Sequence, residues 1–199
     1  MIDKDIDMLN RAFQLFNKEL FNGELPETAI LIQSSPKCYA YITTSKVWKK
    51  NDKRLYEINL SSEYIDRDII YVLSSLLHEC VHLSNMIHGR RDTSNGTRYH
   101  NQVYRREAER VGLEVSYDKS IGWSITTPSP KLIQLIQDNG FANIDHARIT
   151  KDSEGNKIKK TSSTRTYACP NPNCSCSVRS TRDWLLICGT CMETMVKIK

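Results

Sequence analysis

Residues 78–82 read HECVH, within the longer stretch YVLSSLLHECVHLSNMIHG at 71–89. On an α-helix, residues four apart lie about 40° apart and one turn along. His78 and His82 would therefore present two imidazoles to one face. Glu79 would fall at the edge of that face, where it can reach a water held by a metal but is poorly placed to bind the metal itself. Two histidine ligands with a glutamate base are a zinc-hydrolase pattern, provided the segment is a helix. It has the apolar stripe of one, in Ile69, Val72, Leu73, Leu76, Cys80, Leu83 and Ile87. The spacing predicts a helix over 66–87, capped by Asp66 or Ser62 and stopped at Gly89.

A catalytic zinc usually takes three protein ligands and keeps one position open. The third ligand is expected after the polar loop RRDTSNGT at 90–97. His100 is favoured, because it opens a second helix predicted over 97–111. That helix carries Val103, Tyr104, Ala108 and Val111 and ends at Gly112. Glu107 and Glu109 are the alternatives. His88 is six residues past His82 and reads as a surface residue.

Upstream, Ile6, Leu9, Phe13, Phe16 and Leu20 mark a first helix over 5–21. TAILIQSS, CYAYITTS and RLYEINLSS follow, each short and rich in β-branched or aromatic residues. They read as three strands of one small antiparallel sheet, with the basic stretch KVWKKNDKR as a loop. Helix, three strands, helix, helix is an α+β order.

The chain has 199 residues, 39% of them hydrophobic and 26% charged, which suits one or two globular domains. No apolar run reaches membrane-spanning length, so no membrane partner is expected. The start, MIDKDIDMLN, is charged, and the reading is an intracellular protein, cytoplasmic or nucleoid-associated. Charge is uneven. Residues 147–199 hold 10 Lys/Arg against 4 Asp/Glu, while residues 1–146 hold 18 against 19. A basic tail behind a neutral front suggests a polyanion partner.

Seven cysteines, an odd number, argue against a disulfide framework, and five of them fall between Cys169 and Cys191. Cys188 and Cys191 form the knuckle CGTC, where Gly189 would allow the tight turn. The opposing knuckle needs Cys169 and either Cys174 or Cys176. Two such pairs point to structural Zn²⁺. Arg165, Arg179, Arg182 and Lys197, with Trp184, are candidates to meet phosphates and stack on bases. The alternative is a purely structural segment with Trp184 in its core. Cys38 and Cys80 read as isolated buried thiols.

FNGELP after the first helix, YEINLSS before the long one, LLHECVH and then HNQVY together resemble the SprT-like (Spartan) family of zinc metalloproteases. The resemblance covers about 5–125 and again 164–199. Where that family often has Gly-His-Gly-x-x-Phe, this chain has YHNQVY, with Tyr104 at the aromatic position. The resemblance implies a zincin-like minimal protease domain over 1–125. A short helix and basic linker would occupy 126–163, with an exposed turn at Glu154-Gly155-Asn156. A zinc ribbon would occupy 164–199.

It also implies one catalytic zinc on His78, His82 and His100, with Glu79 as general base, and one structural zinc. Aligning back from Val178-Arg179 puts the fourth structural ligand at Cys174 and leaves Cys176 spare. The implied substrate is a protein bound or crosslinked to DNA. Tyr104, Arg105 and Tyr117 are candidates to stabilise an oxyanion. The competing reading is a nucleic-acid-binding or regulatory protein of the same family with little peptidase activity.

Overall fold

The computed structural model describes residues 2–96, 98–149 and 164–198. The expected turn at 154–156 lies outside them. The chain divides into two compact units, Met1–Thr150 and Lys151–Lys199.

The first unit runs α1 (Ile2–Leu20), β1 (Thr28–Gln33), β2 (Ala40–Ile42), β3 (Trp48–Lys50), β4 (Lys53–Ser61) and α2 (Ile69–Ile87). It continues with β5 (Thr93–Ser94), β6 (Tyr99–His100), α3 (Gln102–Arg110), β7 (Leu113–Asp118), β8 (Gly122–Pro128) and α4 (Pro130–Asp138). The second unit holds β9 (Arg165–Ala168), β10 (Ser177–Ser180) and β11 (Val196–Lys197), paired in the order β10-β9-β11. The fold is α+β.

The upstream sheet has the order β1-β4-β2, with β3 folded onto the far end of β4. It is mixed, not antiparallel. β1 runs parallel to β4, with Ile30 beside Ile58, and β2 runs antiparallel, with Ile42 beside Ile58. Strand propensity reports a half-buried pleated surface and carries no direction. KVWKKNDKR is a hairpin arm rather than a loop, since β3 pairs with β4 from Trp48–Leu55 to Lys50–Lys53.

α2 lies at the centre of the unit and is buried along most of its length. Its cap is Asp68, whose side chain accepts from the Ile70 N–H at 2.9 Å, while Asn143 Oδ1 accepts from the Ile69 N–H at 2.7 Å. Leu9, Phe13 and Phe16 of α1, Ile58 and Leu60 of β4, and Leu73, Leu76, Leu77 and Leu83 of α2 form one core. Cys80 is wholly buried there, and burial pushes its thiol well above the usual range, which leaves it inert.

The expected edge at 125/126 falls inside β8. Beyond it, Leu132, Ile136 and Ile144 are buried in the same core. The first unit therefore keeps α4, whose cap Ser129 accepts from the Leu132 N–H at 3.3 Å. The second sheet, β5-β6-β8-β7, is also absent from the expected element order. α3 is shorter than expected because its cap is Asn101, which accepts from the N–H groups of Val103 and Tyr104.

Candidate functional site

Two elements bring the histidines together. His78 and His82 come from the middle of α2. His100 is the last residue of β6, not the opening of a helix. Its N–H donates to the Ile121 carbonyl at 2.9 Å, and the next residue, Asn101, caps α3 and donates to the Arg91 carbonyl at 2.9 Å. His100 is thus fixed on both sides by backbone that returns from distant sequence.

Gly122 permits this approach. It has φ +67°, and a Cβ there would lie 2.1 Å from the His100 carbonyl oxygen. No other residue type fits that bridge without moving His100.

The Nε2 atoms of His78 and His82 lie 3.2 Å and 3.0 Å from Nε2 of His100. Nitrogens bound tetrahedrally at about 2.0–2.1 Å from one ion would be about 3.3 Å apart. The protons favour the same conclusion. His82 Nδ1–H donates to Asp92 Oδ2 at 2.8 Å, so its Nε2 carries a lone pair. His78 Nδ1 faces Thr126 Oγ1 at 3.3 Å. The three histidines form a group able to hold a metal ion. Burial, then the neighbouring histidines, hold His78 well below its ordinary range. Burial lowers His100 to about 4. Both are therefore neutral at neutral pH, the form a metal ligand needs.

Asp92 was not singled out in the sequence. It is buried, it orients His82, and it also accepts from Asn85 Nδ2 at 3.0 Å. Burial opposes a charge on His82, but the Asp92 bond and the Glu79 charge outweigh it and raise His82. The available signal was a lone acid in a basic loop between the paired histidines and the third. Its role depends on how that loop returns.

Glu79 sits beside the histidines, 6% exposed. Burial raises its carboxyl to about 7, and the Ile42 N–H of β2 donates to it. A carboxylate with that affinity can take and return a proton near neutral pH. The rival ligands are engaged elsewhere. Glu107 accepts from Ser84 Oγ at 3.0 Å and Arg110 Nη2 at 2.8 Å, and Glu109 pairs with Arg105 at 2.8 Å.

His78, Glu79, His82 and His100 line one cleft of about 860 Å³, together with Tyr41 and Ile42 of β2 and Arg67 and Tyr71. None of the three oxyanion candidates faces it. Tyr104 is wholly buried, with its ring centroid 4.6–4.8 Å from all three imidazoles. Arg105 lies over the Trp123 ring, and Tyr117 meets Tyr99 at the surface.

In the second unit the sulfurs of Cys169, Cys174, Cys188 and Cys191 lie within 4.8 Å of one another and form a group able to hold a metal ion. Cys176 is exposed, with its sulfur 3.7 Å from Thr190 Oγ1. The N–H groups of Cys191 and Thr190 point at Cys188 and lower its thiol to about 6. The left-handed residue of this knuckle is Met192 (φ 55°), not Gly189.

Arg165 and Lys197 both pair with Asp183 at 2.8 Å and brace the sheet. Arg179 and Arg182 are exposed. Trp184 is 56% exposed, so its ring is not the core of this unit.

No family model matches this chain, and no curated protein matches it. Among the described residues, no helix is long and apolar enough to cross a membrane.

Proposed function

We propose that the first unit is a zincin-like zinc endopeptidase of the SprT-like kind. The second unit is then a zinc ribbon that takes part in holding nucleic acid, and the substrate is a protein bound or crosslinked to DNA. The observation that carries the peptidase reading is three imidazole Nε2 atoms converging in an open cleft beside a buried glutamate that forms no ion pair with Lys or Arg among the described residues.

His78, His82 and His100 would hold Zn²⁺, which would supply a Lewis acid for acidifying water and polarising a carbonyl. The chain does the rest. Glu79 accepts the proton of the attacking water and returns it to the leaving amine. Asp92 holds the His82 ring by its Nδ1–H. β2 is an edge strand of its sheet. Tyr39 and Thr43 turn their backbone groups to β4, in the bonds Ser61 N–H to the Tyr39 carbonyl and Thr43 N–H to the Glu57 carbonyl, both at 2.9 Å. By alternation, Ala40 and Ile42 turn theirs to the cleft. An extended polypeptide can add to that edge and present its carbonyl beside Glu79.

The ribbon reading rests on the four sulfurs. They cannot all ionise at this separation without a cation, and the cluster suits tetrahedral Zn²⁺. Exposed Arg179, Arg182 and Trp184 suit phosphates and bases. Arg165, tied to Asp183, serves them indirectly.

The test is cleavage of a DNA-bound protein, with and without DNA, by wild type and Glu79→Gln. The variant is expected to keep its zinc and lose about 10²–10⁴-fold in rate. Wild type that cleaves nothing under either condition would leave the nucleic-acid-binding reading in its place.

A further inference from the structure

The neutral balance of the first unit hides one strongly charged feature. Residues 44–54 are all exposed. Within 46–54 stand Lys46, Lys49, Lys50, Lys53 and Arg54 against the single acid Asp52, which leaves 13 cations against 18 acids over the rest of 1–146. The positive charge is thus concentrated in the hairpin of β3 and the start of β4.

The register makes the concentration costly. Lys49 stands directly opposite Arg54, and Lys50 opposite Lys53. Like charges directly opposite on an antiparallel pair are destabilising. Among the described residues, Lys50 pairs with Glu27 at 2.6 Å, while Lys49, Lys53 and Arg54 form no ion pair. Shielding an edge strand from other chains accounts for lysines on β3. It does not account for cations facing them on β4.

We propose that this hairpin is a nucleic-acid contact on the first unit, gripping the phosphate backbone with Lys49, Lys53 and Arg54. The two cross-strand pairs follow each other in sequence, so they project to opposite faces of the ribbon. Charge therefore surrounds the arm, as a groove walled by phosphates on both sides requires. A planar lipid surface would favour charge on one face with an apolar other face. Trp48 stands between the cations, 43% exposed, with its Nε1–H held by Glu57 Oε2 at 2.7 Å, and offers a fixed ring for a base. The other oxygen of Glu57 accepts from Tyr41 Oη at 2.9 Å, in the wall of the cleft. Nucleic acid on the hairpin would lie beside the site of chemistry, whatever the second unit holds.

The test is salt-dependent binding of the full chain to labelled single-stranded and duplex oligonucleotides. Wild type is compared with Lys49→Gln/Lys53→Gln/Arg54→Gln, with the matching Arg-for-Lys variant, and with Arg179→Gln/Arg182→Gln. All the substituted residues are exposed, and equal melting temperatures confirm that the fold is kept. Each lost phosphate contact lowers the slope of log K against log salt by about 0.9 on duplex and about 0.7 on single strands. The triple Gln variant is expected to lose about two to three in slope, and the Arg-for-Lys variant nothing. The arm with the larger loss names the nucleic-acid form.

The hairpin assignment is overturned if the triple Gln variant keeps the wild-type slope on both oligonucleotides. It is equally overturned if wild type binds phosphatidylserine vesicles and neither oligonucleotide. The peptidase reading is decided separately, by Glu79→Gln.

Discussion

The two candidate metal centres differ in what surrounds them. The histidine site sits on a helix buried in a core of more than twenty residues, and its open side faces a cleft. The cysteine site is its own core. The buried cluster of the second unit is Tyr167, Cys169, Cys188 and Met195, two of them ligand candidates. The histidines are attached to a core they do not make up, whereas two of the four cysteines are half of the buried cluster they sit in. The first is therefore suited to chemistry and the second to shape.

Chelation is the most severe way to break this contrast. Metal removal should unfold the second unit altogether, since structural zinc is worth about 10–16 kcal/mol to such a segment. The first unit should stay folded. Limited proteolysis followed by mass mapping reads both at once, and protection of 164–198 in chelator would end the distinction.

His100→Ala should empty the first centre and leave the second loaded, so zinc measured per chain falls from two towards one. Glu107→Ala should leave both loaded, because Glu107 already serves Ser84 and Arg110.

Asp92→Asn should weaken metal binding at the histidine site by about 10–100-fold. It also has a pH signature. Asp92 raises His82, and a protonated His82 cannot bind a metal. Affinity should therefore fall as pH drops through the His82 transition, and the transition should move to lower pH in the variant. Competition titrations at several pH values measure both effects.

The smallest change is expected from Tyr104→Phe. The Tyr104 hydroxyl is buried without a hydrogen-bond partner among the described residues. Its removal should leave metal affinity unchanged and stability the same or higher by about 1 kcal/mol. A lost activity would show that the hydroxyl serves the reaction.

The helical histidine pair was legible because four-residue spacing fixes two side chains on one face before any tertiary contact forms. His100 was legible as a residue, but the strand that carries it was not, since β6 is two residues long and exists through its bridge to Gly122. The parallel pairing of β1 with β4 was hidden because a strand's composition does not state its direction. LEVSYD and GWSITTP do alternate in the manner of strands, yet no element was expected at LEVSYD, and GWSITTP runs across the expected edge at 125/126. Among the cysteines, spacing left Cys174 and Cys176 open, and the family resemblance had to choose between them. The structure brings the Cys174 sulfur into the four-sulfur group, while the Cys176 carbonyl accepts the Cys169 N–H at 3.0 Å and its sulfur is exposed.

Gly122 carries no functional group, lies 22 residues from His100 and touches no candidate ligand atom. A methyl group at that position would nonetheless collide with the ligand's own backbone. A genetic screen for chains that fold but lack the activity should therefore recover Gly122→Ala alongside the histidine substitutions. It would give an inactive allele that keeps every polar residue of the cleft.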